Sequence, residues 1–264
     1  MGGHRNIEVM SRLRAIGPFG ASACQTVRPR ALAASLAAAL VVSAAACASR
    51  ADERDETASK PPAHGGAPPG APSPSRPRIV MLGDSLTAGL GLPIAAAYPS
   101  LLQQRLADAG LDYEVVNAGA SGDTSAGGLS RLDWALQGDV RILVVALGGN
   151  DGLRGLPPSE LERNLAQIVE RAQARAIDVV LAGMEAPTNY GRDYIVSFHK
   201  VYPALAGKYE IPLVPFLLEG VAGRGGLNQP DGIHPTAEGA RIVADNVWAV
   251  LRPLAERQRA RPGS

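Results

Sequence analysis

Five short apolar runs alternate with helical patterns from about residue 77 onward, and this alternation is the strongest constraint on the fold. The third run is nearly continuous, as expected of a strand that is covered on both faces. Alternation of this kind predicts one α/β domain with a parallel, doubly wound sheet. It does not fix the order of the strands. The predicted strands are residues 79–82, 113–116, 141–147, 177–182 and 211–214.

The helical patterns have their own start and stop signals. Ser159 and Glu162 have the spacing of a capping box, and an apolar stripe with helical period follows them. Pro203 interrupts the pattern of residues 194–209, because a proline removes a helical hydrogen bond. The last helix is predicted to begin near residue 235, and residues 256–264 are predicted to form a frayed, basic tail.

The first 46 residues are predicted to be an export signal. They hold five arginines and one glutamate, and they end in 16 residues of Ala, Leu, Val and Ser, which is short for a bilayer span. The segment 44–47 resembles the lipobox of bacterial lipoproteins, although Ala44 stands where that motif usually has leucine. Two outcomes stay open: lipidation of Cys47, or ordinary cleavage after Ala46.

Residues 47–77 are rich in Ala, Pro, Gly, Ser and charge, which predicts a disordered, semi-stiff tether. The folded domain would then span residues 78–264. A tether has an evident use behind a lipidated Cys47. We therefore expect an exported protein, either periplasmic or anchored to a membrane, and a secreted one if Cys47 is not lipidated.

Cysteine and charge exclude several classes of function. Cys24 and Cys47 are the only cysteines, and both precede the domain, so it has no disulfide framework and no cysteine nucleophile. Residues 1–46 carry five of the 26 basic and one of the 25 acidic residues, which leaves 21 against 24 and a net charge of −3. No nucleic-acid surface is expected. We also expect no metal, no cofactor and a monomer.

Ser85 follows the end of the first strand, where α/β folds place their sites. It can be a nucleophile only if other loops supply a base and oxyanion donors. Asp231 and His234, separated by two residues, let one turn present an imidazole and its orienting carboxylate. A tight turn alone would also explain Asp231. His199 lies in a helical pattern and is predicted to be a surface or packing residue.

Two further loops carry candidate oxyanion donors. Gly122 follows the second strand and offers a backbone N–H, and Asn150 follows the third strand and offers a side-chain amide. Each has a structural alternative, namely a glycine with positive φ and an Asx turn. Asp84 and Asp151 lie beside these positions and are predicted to order the loops.

Taken in order, the four loops resemble the SGNH hydrolases, also called GDSL esterases, which are named for Ser, Gly, Asn and His in four sequence blocks. The likeness covers most of residues 78–254, and the flanking segments resemble the branch of thioesterases, lysophospholipases and bacterial arylesterases. It implies a three-layer α/β/α domain with the flavodoxin-like strand order 2-1-3-4-5. The matching residues are Ser85, Gly122, Asn150 and His234, the last preceded by Asp231.

The resemblance implies a serine esterase that hydrolyses carboxylic esters or thioesters through an acyl-enzyme, with aryl esters, acyl-CoA and lysophospholipids among the expected substrates. Ser85, Asp231 and His234 would be catalytic. The N–H groups of Ser85 and Gly122 and the amide of Asn150 would hold the oxyanion. The loops after the third and fourth strands would flank the acyl chain. Their candidate substrate-binding residues are Leu153, Pro187, Asn189 and Tyr190.

Two alternatives remain open from the sequence. The same fold and residues occur in carbohydrate O-acetylesterases, and a lipid-tethered binding protein could keep the fold without catalysis. An ordinary α/β-hydrolase is disfavoured, because residues 119–122 have the wrong spacing for a Gly-x-Ser-x-Gly motif. Ser121 is therefore not the predicted nucleophile.

Overall fold

The computed structural model describes residues 76–260, in which five parallel strands form one sheet. The strand order is β2-β1-β3-β4-β5, as the family resemblance implies. The predicted parallel α/β class is therefore confirmed. The strands are β1 (Arg78–Gly83), β2 (Glu114–Gly119), β3 (Val140–Ala146), β4 (Asp178–Ala182) and β5 (Leu213–Val214).

Helices cover the sheet on both faces. The crossovers from β1 to β2 and from β3 to β4 run in opposite directions along the sheet, so right-handed connections place their helices on opposite faces. The long helices are α2 (Tyr98–Asp108), α6 (Pro158–Gln173), α7 (Arg192–Tyr209) and α8 (Ala237–Arg259). The short ones are α1 (Ser85–Ala88), α3 (Ser125–Ser130), α4 (Leu132–Ala135) and α5 (Gly149–Leu153), with 3₁₀ turns at Ile94–Ala96 and Thr188–Tyr190.

The core lies around the two central strands, β1 and β3. Helix α2 packs on α8, and α6 packs on α7, so both faces of these strands are covered. Ile79, Met81 and Leu82 of β1 are fully buried, as is Val144 of β3 opposite Met81. Burial on both faces explains why these strands are continuous apolar runs rather than alternating ones.

Three local predictions about helices are wrong. Helix α6 begins at Pro158 without a side-chain cap, so the capping box at Ser159 does not form, since a proline at the first helical position starts the helix earlier. Helix α7 continues through Pro203, because burial of one face offsets the lost hydrogen bond. Helix α8 extends to Arg259, where a frayed tail was expected, because Leu254 and Ala255 are still buried.

Several predictions concern residues outside the described range. These are the export signal of residues 1–46, the lipidation site Cys47, nearly all of the tether, and residues 261–264. Between residues 76 and 260, no helix combines the length and the apolarity needed to cross a bilayer.

Candidate active site

Ser85 lies at the carboxyl end of β1, where α1 begins. Asp84 caps this short helix, and its Oδ1 accepts a hydrogen bond from the N–H of Leu86 at 3.0 Å. Helix α1 sits so close to β2 that a Cβ on Gly119 would lie 2.2 Å from the backbone nitrogen of Ala88. Only glycine permits this approach, so the sequence of β2 helps to set the position of Ser85.

The imidazole of His234 lies between Ser85 and Asp231. Its Nε2 is 2.8 Å from Ser85 Oγ, and its Nδ1 is 2.7 Å from Asp231 Oδ2. The His234 side chain is 15 % exposed, which shields the serine contact from bulk water. The structure thus brings together a hydroxyl, an imidazole and a carboxylate in the order that nucleophilic catalysis needs.

The carboxylate of Asp231 is held in its charged form by the turn that carries it. Its Oδ1 accepts hydrogen bonds from the N–H of His234 at 3.0 Å and of Ile233 at 2.9 Å. The backbone and side-chain bonds from His234, together with the Ile233 bond, lower the pKa of Asp231 to about 2. The tight turn and an orienting carboxylate are therefore combined in one residue.

Gln229 fixes this turn against the α1 region. Its backbone N–H donates to the carbonyl of His234 at 2.7 Å. Its side-chain amide donates to the carbonyls of Leu90 at 2.8 Å and Pro235 at 3.0 Å. The base-bearing turn is therefore tied to the segment that follows the serine helix, although the two lie far apart in sequence.

The candidate oxyanion donors lie on loops that follow three adjacent strands, β2, β1 and β3. Asn150 Nδ2 donates to the carbonyl of Asp123 at 2.9 Å and to Asp84 Oδ2 at 3.3 Å. Gly122 has a φ of +85°, which favours glycine. Among residues 76–260, the N–H groups of Ser85 and Gly122 have no protein acceptor. Both are thus free to donate to a ligand.

Arg131 is a positioning residue that the sequence analysis missed. Its Nη2 donates to the carbonyl of Gly83 at 2.8 Å, and its Nε donates to Asp123 Oδ2 at 2.6 Å. It therefore ties the end of β1 to the loop that carries Gly122. A lone arginine among small and apolar residues just after that loop was the only sequence signal.

The two aspartates beside the site are both buried but differ in their partners. Asp84 is 2 % exposed, and burial raises its pKa to about 6, although the Leu86 N–H, the charge of His234 and the Asn150 amide oppose the shift. Asp151 is 1 % exposed and accepts hydrogen bonds from the N–H and hydroxyl of Ser125. These bonds fit the loop-ordering role predicted for both.

A cavity of about 180 Å³ opens beside Ser85 and His234. Its wall is mainly apolar, and it includes two of the predicted substrate-binding residues, Leu153 and Pro187. Asn189 and Tyr190 do not line it; the Tyr190 hydroxyl instead donates to the carbonyl of Leu153 at 2.8 Å. The wall has five other apolar residues that the sequence did not predict to bind substrate, namely Leu86, Met184, Leu218, Ala222 and Ile233.

His199 lies on the surface, as predicted, with a side chain 58 % exposed. Its Nδ1 is 2.7 Å from Oε1 of Glu185, which belongs to the loop after β4. No acid adjacent in sequence indicated this pair, because the partner comes from another element. Within the described part of the chain, no group of three His, Cys, Asp or Glu side chains is placed to hold a metal ion.

The family model for GDSL-like lipases and acylhydrolases matches residues 81–242, a range that contains all the candidate catalytic and oxyanion residues. The chain belongs to this family. It is 50 % identical over 177 residues to "Esterase TesA" of Pseudomonas aeruginosa, covering 67 % of this chain and 88 % of the relative. It is 41 % identical over 177 residues to "Thioesterase 1/protease 1/lysophospholipase L1" of Escherichia coli, covering 67 % and 84 %.

A crystal structure of TesA superposes on this GDSL-family chain with a TM-score of 0.65 at 48 % identity, covering 67 % of this chain and 99 % of that one. The predicted family and fold are thereby confirmed. The protein is a hydrolase of ester bonds, as the four sequence blocks indicated.

Proposed function

We propose that this hydrolase cleaves acyl esters and thioesters in two steps, with Ser85 as nucleophile, His234 as base and Asp231 as its orienting acid. The observation that carries the proposal is the unbroken chain of two hydrogen bonds, 2.8 Å from Ser85 Oγ to His234 and 2.7 Å from His234 to Asp231. Both distances are within the reach required for proton transfer.

In the first step, Ser85 Oγ attacks the carbonyl carbon while His234 Nε2 takes the hydroxyl proton. The Asp231 carboxylate accepts from Nδ1–H, so it selects the tautomer with a free Nε2 and stabilises the imidazolium that forms. Because Asp231 stays ionised, with a pKa of about 2, this support is present throughout the neutral range.

The oxyanion of the tetrahedral intermediate would be held by three donors: the N–H groups of Ser85 and Gly122 and the side-chain amide of Asn150. The first two have no protein acceptor between residues 76 and 260. In the free enzyme the third donates to both Asp123 and Asp84, so the oxyanion would replace the longer of these bonds, 3.3 Å to Asp84 Oδ2. The bond to Asp123 keeps the amide oriented, and donors oriented before the reaction lower the barrier.

When the intermediate collapses, His234 gives its proton to the leaving alcohol or thiol, and an ester remains on Ser85. A water molecule then loses a proton to His234 and attacks this acyl-enzyme. Ser85 recovers its proton as the carboxylic acid departs.

The acyl chain of the substrate would lie in the apolar cavity. Leu153 and Pro187, together with Met184 and Leu218, give it a largely hydrocarbon wall next to Ser85. Small acyl esters, thioesters and lysophospholipids share this acyl part, which matches the esterase and thioesterase/lysophospholipase names of two relatives.

We also propose that the enzyme is exported, with residues 1–46 as the signal and residues 47–77 as a tether. The composition of both segments supports this. Mass spectrometry of the mature N-terminus distinguishes a diacylglycerol-modified Cys47 from an unmodified chain cut after Ala46. A mature chain that still contains residues 1–46 would contradict export by this signal.

Hydrolysis of p-nitrophenyl butyrate and butyryl-thioesters by purified variants tests the catalytic proposal. Ser85→Ala and His234→Ala should reduce both activities by at least roughly 10³-fold. Ser197→Ala, an exposed serine of α7, is the matched control and should keep wild-type rates. Wild-type activity in Ser85→Ala would overturn the assignment.

A further inference from the structure

Glu185 places a carboxylate in the wall of an otherwise largely apolar cavity. It follows β4 and lines the cavity together with Met184 and Pro187. The other ionisable residues of this wall are Asp84 and His234. Among residues 76–260, no arginine or lysine lines the cavity, so Glu185 has no permanently cationic side chain beside it in the wall.

Glu185 lies at the rim of the cavity rather than at its floor. Its side chain is 36 % exposed, whereas Asp84 beside the nucleophile is 2 % exposed. Its Oε1 is held at 2.7 Å by Nδ1 of His199, itself 58 % exposed on α7. Within the described residues no group donates to its Oε2, which leaves one carboxylate oxygen available to a ligand.

The His199 contact fixes where this charge is presented. A glutamate on a loop would otherwise sample many rotamers and average its field over the solvent. Here α7, a continuous helix with one face buried, carries the histidine that holds it. Arg154 donates to the carbonyl of Gly122 and does not line the cavity.

We propose that Glu185, positioned by His199, is a specificity-determining residue that favours esters with a cationic alcohol or thiol part and disfavours those with an anionic one. The inference rests on the proposed function of Ser85. With the acyl chain against the hydrocarbon wall, the charged alcohol or thiol part lies towards solvent, within the electrostatic reach of the partly exposed Glu185. A like charge there is repelled and an opposite charge attracted.

Three butyryl thioesters with the same acyl group test the proposal: those of thiocholine (cationic), ethanethiol (neutral) and 3-mercaptopropionate (anionic). The released thiol is followed with a disulfide reagent at pH 8. Because the leaving groups differ in intrinsic reactivity, each substrate is compared between variants and not with the other substrates. The variants are Glu185→Gln, Glu185→Lys and the control Glu162→Gln, an exposed residue of α6.

Glu185→Gln should lower kcat/KM for the cationic thioester by roughly threefold to tenfold and raise it for the anionic one by a similar factor. The neutral thioester should change by less than about twofold, and Glu185→Lys should change the two charged thioesters in the same directions as Glu185→Gln but by larger factors. The effects should shrink in 0.5 M salt, since the rim is screened. The control variant should behave as the wild type.

Equal changes for all three thioesters, or no change for any, would overturn the role of Glu185 while leaving the catalytic proposal intact. If the wild-type enzyme does not hydrolyse even the neutral thioester, or if Ser85→Ala still does, it is the proposed function that fails. The two failures are therefore distinguishable in one set of assays.

Discussion

The side-chain amide of Asn150 donates a hydrogen bond to the buried carboxylate of Asp84 over 3.3 Å, which links the residue before the candidate nucleophile to a candidate oxyanion donor. The same amide nitrogen donates to the carbonyl of Asp123 at 2.9 Å. Asn150 is therefore oriented from two different loops before any substrate binds. Because an amide nitrogen carries two hydrogens, an oxyanion would take the place of Asp84 while the bond to Asp123 keeps the amide in position.

Asn150→Ala should lower kcat by roughly 10²–10³-fold with little change in KM, because it removes a donor that acts mainly on the transition state. Steady-state kinetics with p-nitrophenyl butyrate measure both constants. Ser197→Ala serves again as the control. A loss below tenfold, or a loss confined to KM, would contradict the oxyanion role.

Asp84→Asn should make the protein more stable at pH 8 and less active. Burial raises the pKa of Asp84 from 3.8 to about 6, so the folded state binds this proton more tightly than the unfolded state does. The protonated carboxyl of Asp84 therefore stabilises the fold fully below pH 3.8. This stabilisation is lost as the pH rises from 3.8 to about 6. An amide carries no charge to bury, and the expected gain at pH 8 is about 1–3 kcal/mol.

The activity of Asp84→Asn should fall because an amide cannot accept from both Leu86 and Asn150. Urea unfolding at pH 4.5 and pH 8, together with kcat at pH 8, checks both parts. The gain in stability should be larger at pH 8 than at pH 4.5. A variant that is less stable than the wild type at pH 8 would contradict the account of the buried charge.

Arg131→Gln should destabilise the loop after β2 and slow catalysis. The substitution removes two partly buried, charge-assisted hydrogen bonds, to Gly83 and to Asp123. Their loss should lower the free energy of unfolding by about 1–3 kcal/mol. For a domain of this size, the melting temperature should fall by roughly 3–10 °C. Thermal denaturation measures the shift.

The matched control for Arg131 is Arg171→Gln. Arg171 is half exposed and lies 4.0 Å from Asp133, so its loss should change stability by less than about 0.5 kcal/mol. Equal melting temperatures for the two variants would show that Arg131 does not tie the loop to β1.

Asp231→Asn should lower kcat at pH 8 by roughly 10²–10⁴-fold, because the amide favours the wrong imidazole tautomer. The loss should be near 10²-fold if a water molecule accepts the hydrogen bond from Nδ1–H in the variant, since the Asp231 side chain is 44 % exposed. Steady-state kinetics at pH 8 give the value, and circular dichroism confirms the fold. Loss of less than tenfold would mean that His234 is oriented mainly by the backbone.

The sequence predicted the strand-end loops well because parallel strands place their carboxyl ends at one edge. Ser85 and His234 are 149 residues apart. Ser85 follows β1 and His234 precedes α8, and these two ends lie at the same edge of the sheet. The family resemblance added the strand order, which periodicity could not give. Each of these inferences depends on the backbone path alone.

The features that the sequence could not predict depend on long side chains and on burial. Arg131 bonds to Asp123 and Gly83, and Glu185 bonds to His199 of another element. Contacts of this kind have no fixed spacing in the sequence. Strand β5 has only two residues, and the cavity wall formed by Leu218 after it carried no motif. Pro203 was expected to interrupt the helix, but the packing of α7 keeps it continuous.

Mass spectrometry of the protein after reaction with a fluorophosphonate tests most directly whether Ser85 is the nucleophile and is activated by His234. We expect a single phosphonyl adduct on the peptide that contains Ser85, no adduct in Ser85→Ala and much slower labelling in His234→Ala. An adduct on a different serine, or an active enzyme that takes up no adduct, would contradict it.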